Sequence, residues 1–365
     1  MGNREIFRKA VSALEVGTNV GLVTVVATVG STPGKVGYKM LVTRCVGDTV
    51  GTIGGGFVEA RIIVMIRNML TAGVTGRVVR IDLGNTPRQE EGICGGSVEM
   101  LVETLDAGSL PLFRALSVAA EHDEEGLLVS VTSGDMLPQK AYVANGGELV
   151  ASIGGRLTPA LVAAMLETVK GGDSMQVSCG AIEAFVERLS VPPRVVIFGA
   201  GHLACHLCMY AKSLGFRVTI YDDRSDYANR QRFADADEVI VGDFANALDT
   251  ACVDADSYVV VVTRGHAWDE MVLEQVVRAN VRYIGMIGSR RKTATILANL
   301  RYRGIPDHLL NRVYSPIGLA IGAITPEEIA LSIASELVKI RRLGPEAPVV
   351  HMASFRMCGD AGSKP

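Results

Sequence analysis

Residues 194–204 read RVVIFGAGHLA. The run RVVIF is apolar throughout and suits a buried parallel strand. The turn that follows opens straight into a helical pattern, HLACHLCMYAKSLG. Gly199-Ala200-Gly201-His202-Leu203-Ala204 fits GxGxxA. In such a turn Gly199 allows the sharp bend, Gly201 lets the backbone approach a diphosphate, and Ala204 lets the helix pack closely on the sheet. The helix start offers free N–H groups and the positive end of its dipole to phosphate. Asp222 ends the next strand-like run, FRVTIYDDR (216–224), at the spacing where an acidic residue holds ribose hydroxyls. The competing reading is the same fold with a vacant or altered site.

Further strand-like runs lie at 236–243, 257–266, 283–292 and 312–318, separated by helical segments. Such alternation predicts a parallel, doubly wound sheet. Thr325-Pro326-Glu327-Glu328 reads as the start of the last helix, with Thr325 as N-cap and Glu328 completing a capping box. Two more loops fall at carboxyl ends of strands, where open α/β folds bind ligands. They are Thr263-Arg264-Gly265-His266 and Gly288-Ser289-Arg290-Arg291-Lys292. Ser289 and Arg290 suit an anionic group, against a solvated helix face as the bland alternative. His202 and His266 are candidate acids, bases or phosphate donors, with packing or capping equally open to them.

The first half of the chain is repetitive. EIFRKAVSAL (5–14) matches PLFRALSVAA (111–120), and GLVTVVATVG (21–30) matches GLLVSVTSGD (126–135). DTVGTIGGG (48–56) matches ELVASIGGR (148–156), and GSVEMLVETL (96–105) matches GAIEAFVERL (180–189). The shared order is helix, strand, strand, glycine turn, helix, strand, which points to a tandem duplication of one α/β unit. The predicted fold is therefore α/β: an N-terminal α/β domain (1–190) of duplicated units 1–108 and 109–190, then a Rossmann-like doubly wound parallel sheet (194–342). The tail, 343–365, lacks periodicity and is expected to be mobile. The second copy has shorter loops, so the first, with three glycines at 54–56, is expected to keep the site.

Cys94 sits in a turn, GICGG, beside Glu90 and Glu91. An exposed thiol there suits sulfur or a soft metal centre, and a small buried turn residue is the alternative. Cys205 and Cys208 form CxxC inside a helix, away from the helix start that stabilises thiolates, and read as core. With 365 residues, a formal charge of −3 and one short basic cluster, the chain has no footprint for nucleic acid. The sequence shows neither a signal-type apolar core nor an uninterrupted apolar span of membrane length. Seven cysteines without a secretion signal read as reduced and cytoplasmic.

Several strings together are familiar: STPG (31–34), IGGGFVEA (53–60), ICGG (93–96), FGAGHLA (198–204), YDDR (221–224), TRGH (263–266), IGSRRK (287–292) and SPIGLAIGAITPEEIALSIASEL (315–337). Their order resembles the xanthine dehydrogenase accessory factor family, the XdhC/CoxI-type proteins, over about residues 10–340. The resemblance implies a cytoplasmic maturation factor for molybdenum hydroxylases. It would bind the molybdenum cofactor (molybdopterin), support its sulfuration with a cysteine desulfurase, and deliver it to the apoenzyme. The cofactor-binding residues would then be Gly199, Gly201, His202, Asp222, Arg264, His266, Ser289 and Arg290, with Ser31, Gly54, Gly55 and Gly56 from the first repeat. Cys94 is the candidate sulfur or molybdenum contact, and no catalytic residue is assigned. The first-repeat turn and the Rossmann loops are expected to share a cleft, with the chain acting as a homodimer. One departure stands out: the family often has cysteine after the triple glycine, where this chain has Phe57. The alternatives are an NAD(P)-dependent oxidoreductase, with His266 or His202 as acid–base, and a nucleotide-sensing regulator.

Overall fold

The β-branched run Val20–Val29 forms a strand, β1, that is buried on both sides over most of its length. Alternate side chains serve different cores: Val20 and Leu22 join one cluster, Val23 and Val25 another. The computed structural model describes residues 3–44, 48–83, 95–134, 137–169 and 174–348. The chain divides into two compact units between Val191 and Pro192.

The first unit contains two five-stranded antiparallel sheets. The first sheet's segment runs α1 (Asn3–Glu15), β1, β2 (Lys39–Val42), β3 (Thr49–Gly51), α2 (Gly56–Ala72), β4 (Gly76–Asp82) and β5 (Ser97–Leu105). The second runs α3 (Leu110–Glu121), β6 (Gly126–Val131), β7 (Lys140–Ala144), β8 (Leu149–Ile153), α4 (Pro159–Thr168), β9 (Met175–Cys179) and β10 (Ile182–Leu189). Strand order is β3-β2-β1-β5-β4 in one sheet and β8-β7-β6-β10-β9 in the other, the same path twice. Each copy contains two strands that the sequence repeat passes over, β2 and β4 with their counterparts β7 and β9. The ladders also correct the repeat's register by one residue. Leu22 lies opposite Glu103 and Leu128 opposite Glu187, so Leu22 corresponds to Leu128, not to Leu127 as the glycines at 21 and 126 suggest. A one-residue slip matters, because it would turn every side chain of a strand to the other face.

Equivalent residues of the two copies meet. Phe7 and Phe113 pack edge to face with ring centres 6.1 Å apart. Lys39 of β2 pairs with Glu187 of β10, and Lys140 of β7 lies 2.8 Å from Glu103 of β5. Each lysine thus pairs with the glutamate of the other copy, the reciprocity expected of a two-fold interface. All four charges are nearly inaccessible. Burial lowers the Lys39 pKa against the pull of Glu187, and burial raises that of Glu103 against the pull of Lys140. A buried pair adds little net stability, but breaking it strands a charge. Lys140→Met is expected to lower stability in denaturant unfolding by about 3–5 kcal/mol. Adding Glu103→Leu should recover most of that loss; equal losses in the single and double variants would refute the pairing.

In the second unit the strands are β11 (Arg194–Phe198), β12 (Arg217–Asp222), β13 (Glu238–Val241), β14 (Tyr258–Val261), β15 (Tyr283–Met286) and β16 (Val313–Tyr314). The helices are α5 (His202–Ser213), α6 (Ala247–Ala251), α7 (His266–Val276), α8 (Arg290–Tyr302), α9 (Asp307–Leu310) and α10 (Pro326–Leu343). All pairings are parallel, in the order β13-β12-β11-β14-β15-β16. Counted within the unit this is 3-2-1-4-5-6, the doubly wound dinucleotide-fold order. Val195 and Ile197 face the core under α5 and α10, while Val196 and Phe198 face the core under α6, α7 and α8. Several strands are shorter than the apolar runs suggest. The run from 283 leaves the sheet after Met286, and α8 begins at Arg290 with Ser289 as its cap. The α10 capping box forms as expected, Thr325 accepting from Glu328 N–H and Glu328 reaching back to Thr325 N–H. Among the described residues no helix is long and apolar enough to cross a membrane.

Candidate functional site

The carboxyl edge of the parallel sheet gathers every candidate residue of the second unit. Gly199 follows β11 at φ +116°, and a Cβ there would stand 2.3 Å from the Val262 carbonyl oxygen. Its N–H donates to the Tyr221 carbonyl at 2.7 Å. The turn is therefore clamped between the end of β12 and the loop that follows β14. Gly201 has no atom within 4 Å of where a Cβ would stand, so this part of the turn faces open space. Ala204 is fully buried, as close helix packing requires.

The strand order reverses between β11 and β14, from which the sheet grows outward in both directions, and this makes their carboxyl ends the switch point of the sheet. The two helices that start there, α5 and α7, have glycine N-caps, Gly201 and Gly265, with no side-chain cap bond. Among the described residues their first N–H groups remain free for an acceptor. His202 and His266 open these helices and are exposed. Ser289 is exposed but its hydroxyl accepts from Lys292 N–H at 3.2 Å, so it caps α8. Arg290 is exposed and has no hydrogen-bond or ion-pair partner among the described residues.

Asp222 takes an inward role. It is 1% exposed, and it accepts from Ala200 N–H at 2.8 Å and from Arg224 Nε and Nη2 at 2.9 and 3.0 Å. Burial would raise its carboxyl, but the Arg224 hydrogen bond, the Ala200 N–H and the Arg224 charge hold it below the ordinary carboxylate range. It braces the turn from within instead of standing ready for a ribose. The outward acid is Asp223, which pairs with Arg264 through both terminal guanidinium nitrogens, the Nη2–Oδ2 distance being 2.7 Å. Arg264 also lies 5.0 Å over the Trp268 ring, and Arg224 lies 3.7 Å over Tyr227.

Sequence reasoning missed several further supports. Buried Asp269 accepts from Thr263 N–H at 3.0 Å and Thr263 Oγ1 at 2.7 Å, and pairs with Lys292, tying the β14 loop to α8. The signal was available: Thr263 and Asp269 bracket a glycine-capped helix start. Arg232 donates to the Ala200 carbonyl at 2.7 Å, and no motif in the sequence announces it. Cys208 is buried, which pushes its thiol up to about 12. Cys205 Sγ accepts from Arg232 at 3.6 Å. Neither CxxC thiol is presented as a nucleophile.

In the first unit three glycine-rich loops converge. A Cβ on Gly54 would stand 2.6 Å from Gly34 N, one on Gly34 2.2 Å from the Ile53 carbonyl, and one on Gly96 2.6 Å from the Ser31 carbonyl. Gly54, Gly55 and Gly56 all have positive φ, and added Cβ atoms on Gly55 and Gly56 would meet nothing. Glu59, also missed, fixes this turn: one carboxylate oxygen accepts from Thr52 Oγ1 (2.6 Å), Ile53 N–H (3.2 Å) and Gly55 N–H (3.0 Å). Ser31 and Phe57 are exposed. In the second copy Gln139 is buried against Gly154 and accepts from Arg156 N–H at 3.0 Å, so a side chain fills the equivalent ground. Cys94, Glu90 and Glu91 lie outside the described residues. Among the described residues no three His, Cys, Asp or Glu side chains form a metal-ligand group.

The match to known proteins follows this division. A family model described as the XdhC Rossmann domain matches residues 195–337, and one described as the XdhC and CoxI family matches residues 13–82. The chain belongs to the XdhC and CoxI family. A relative from Bacillus subtilis (strain 168), named as a probable subunit of xanthine dehydrogenase, is 32% identical over 158 residues, covering 43% of this chain and 46% of that protein. The uncharacterized protein YqeB of Escherichia coli (strain K12) is 28% identical over 177 residues, 48% of this chain and 32% of that one. This family member thus spans under half the length of either curated relative. A crystal structure of a xanthine dehydrogenase from Bacillus halodurans superposes with a TM-score of 0.79 at 24% identity, covering 96% of this chain and 98% of that one, and it shows the shared fold.

Two outcomes test the geometry. Gly199→Ala combines positive φ with backbone overlap and is expected to lower the unfolding free energy by more than about 2 kcal/mol; a neutral effect would contradict the clamp. Asp222 has a depressed folded pKa, so its brace stabilises the unit above about pH 4. That contribution is lost as pH falls through the folded value. Asp222→Asn should therefore be less stable than the parent at neutral pH, with the gap closing in acid. A gap independent of pH would show that the carboxylate is not the stabilising group.

Proposed function

We propose that this chain is an accessory factor that binds the molybdenum cofactor and delivers it to a molybdenum hydroxylase of the xanthine dehydrogenase type. The observation that carries this is the sheet's carboxyl edge: two helix starts without side-chain caps, the open space at Gly201, and Arg290, which has no partner among the described residues. Family membership and the relative named as part of a xanthine dehydrogenase support the hydroxylase as partner. Molybdopterin ends in a phosphate, and these groups fit an anionic phosphate by hydrogen bond and charge. Gly201, His202, His266 and Arg290 would hold it, with Ser289 and Lys292 keeping the α8 start in place. When bound, the cofactor supplies the molybdenum–sulfur centre that the hydroxylase uses.

The reading extends to a cysteine desulfurase as sulfur source, to Cys94 as the contact for that sulfur, and to a homodimer as the working form. Ser31, Gly54, Gly55 and Gly56 are the first unit's proposed ligand-facing residues. The alternative, a nicotinamide dinucleotide enzyme, has less support, because the carboxylate expected to hold its ribose is buried and engaged by Arg224 and Ala200.

Anaerobic titration of the purified chain with molybdenum cofactor, with NAD and NADP in parallel, tests this. Stoichiometric cofactor binding is expected, weakened about tenfold by Arg290→Ala, the effect of one charge-assisted contact. Uptake of NAD or NADP with no cofactor binding would overturn it.

A further inference from the structure

In the sheet order β12-β11-β14, β11 lies in the middle. Asp223 follows the end of β12 directly, and Arg264 lies in the loop after β14. Strands two apart are separated by about 10 Å. The Asp223–Arg264 pair therefore crosses the carboxyl end of β11, where the glycine turn emerges. Both neighbours touch that turn, the end of β12 through the Tyr221 carbonyl and Asp222, and the loop after β14 through the Val262 carbonyl.

The two acids of YDDR behave differently. Asp222 is internal and accepts from four N–H groups, the backbone N–H of Ala200 and of Arg224 and two on the Arg224 guanidinium. The Asp223 side chain is 22% exposed and that of Arg264 is 35% exposed, so solvent and solutes reach their pair. Asp223 also lies 3.7 Å from Arg224, whose guanidinium Asp222 already holds, so its departure would leave Arg264 as the guanidinium without a carboxylate. Arg264 does not depend on Asp223 for its placement, because the Trp268 ring lies beneath it. A guanidinium fork matches phosphate in the same two-point geometry as carboxylate. Asp223 occupies on Arg264 the position a phosphate would take.

We propose that the Asp223–Arg264 pair is a latch over the glycine turn, and that a phosphate-bearing heterocyclic ligand binds by displacing Asp223 from Arg264. Arg264 is then the residue that selects for the phosphate, and Asp223 sets the threshold for entry. The proposal rests on the anion-binding reading of this edge given above. It adds a competitor built into the chain and predicts that removing an acid strengthens binding.

The test is calorimetric titration of the full-length chain at fixed salt with two probes, ADP and molybdenum cofactor. Asp223→Asn is expected to tighten binding roughly threefold to tenfold, the range set by the modest worth of a solvent-reachable ion pair. Asp223→Ser should give a similar gain, which guards against a fold defect in one variant. Adding Arg264→Met should erase the gain. A gain with ADP alone, or with the cofactor alone, supports the latch and identifies the source of the phosphate. If the parent binds a probe and Asp223→Asn binds it no better, the latch is wrong while the anion site stands. A gain that survives Arg264→Met overturns it too, since net charge would then be the cause. Failure of every variant to bind either probe overturns the latch and the anion-site reading together.

Discussion

A carbonyl oxygen stands 2.3 Å from where Gly199 would carry a side chain, and the carboxyl edge of the parallel sheet is organised around that approach. With no Cβ in the way, the β14 loop closes on the β11 turn from one side. The β12 end closes on it from the other, through the Tyr221 carbonyl and the Asp222 carboxylate. Backbone approach and the Asp222 carboxylate together fix the turn between its two neighbours. Two glycine-capped helix starts, those of α5 and α7, open at this edge, and Asp223 meets Arg264 across the end of β11. The rest of the edge is braced from below: Asp269 ties Thr263 to Lys292, and Arg232 holds the Ala200 carbonyl.

The first unit uses glycine for the same purpose on an antiparallel frame. Backbone meets backbone at Gly34, Gly54 and Gly96, and Glu59 satisfies the N–H groups that the positive-φ turn turns inward. The second copy keeps the frame and fills the ground with Gln139. What joins the copies is reciprocal: Lys39 to Glu187, Lys140 to Glu103, Phe7 to Phe113. Alternative pairings of two similar sheets would leave buried charges unmatched, so the ion pairs act on specificity more than on net stability.

Much of this architecture was legible in the residues. RVVIF followed by GAGHLA has one physical reading, and the alternation after it leads to the doubly wound sheet. The repeat was visible because helix α1 and strand β5 keep their apolar spacing in both copies. β2, β4 and their counterparts were not, since short strands carry too few alternations to stand out. Asp222 illustrates the limit for the site. Its spacing from Gly199 pointed to a ligand, but its partners are Arg224, two residues on, and a backbone N–H more than twenty residues back. Spacing says where a carboxylate sits along the chain and nothing about which donors the fold turns toward it. Glu59 and Arg232 were missed for the same reason: each acts on backbone groups, which leave no signature in residue type. Cys94, Glu90 and Glu91 lie outside the described residues, so the sulfur side of the reading rests on chemistry alone.

The proposed role is that of a carrier, and a carrier must release its cargo to its client. The most direct measurement loads the chain with molybdenum cofactor under anaerobic conditions and mixes it with cofactor-free xanthine dehydrogenase. The two proteins are then separated, and the molybdenum on each is counted. The account predicts that molybdenum leaves this chain, appears on the hydroxylase, and brings hydroxylase activity with it. Molybdenum that stays on the chain, or that reaches the hydroxylase equally fast without it, would contradict the account.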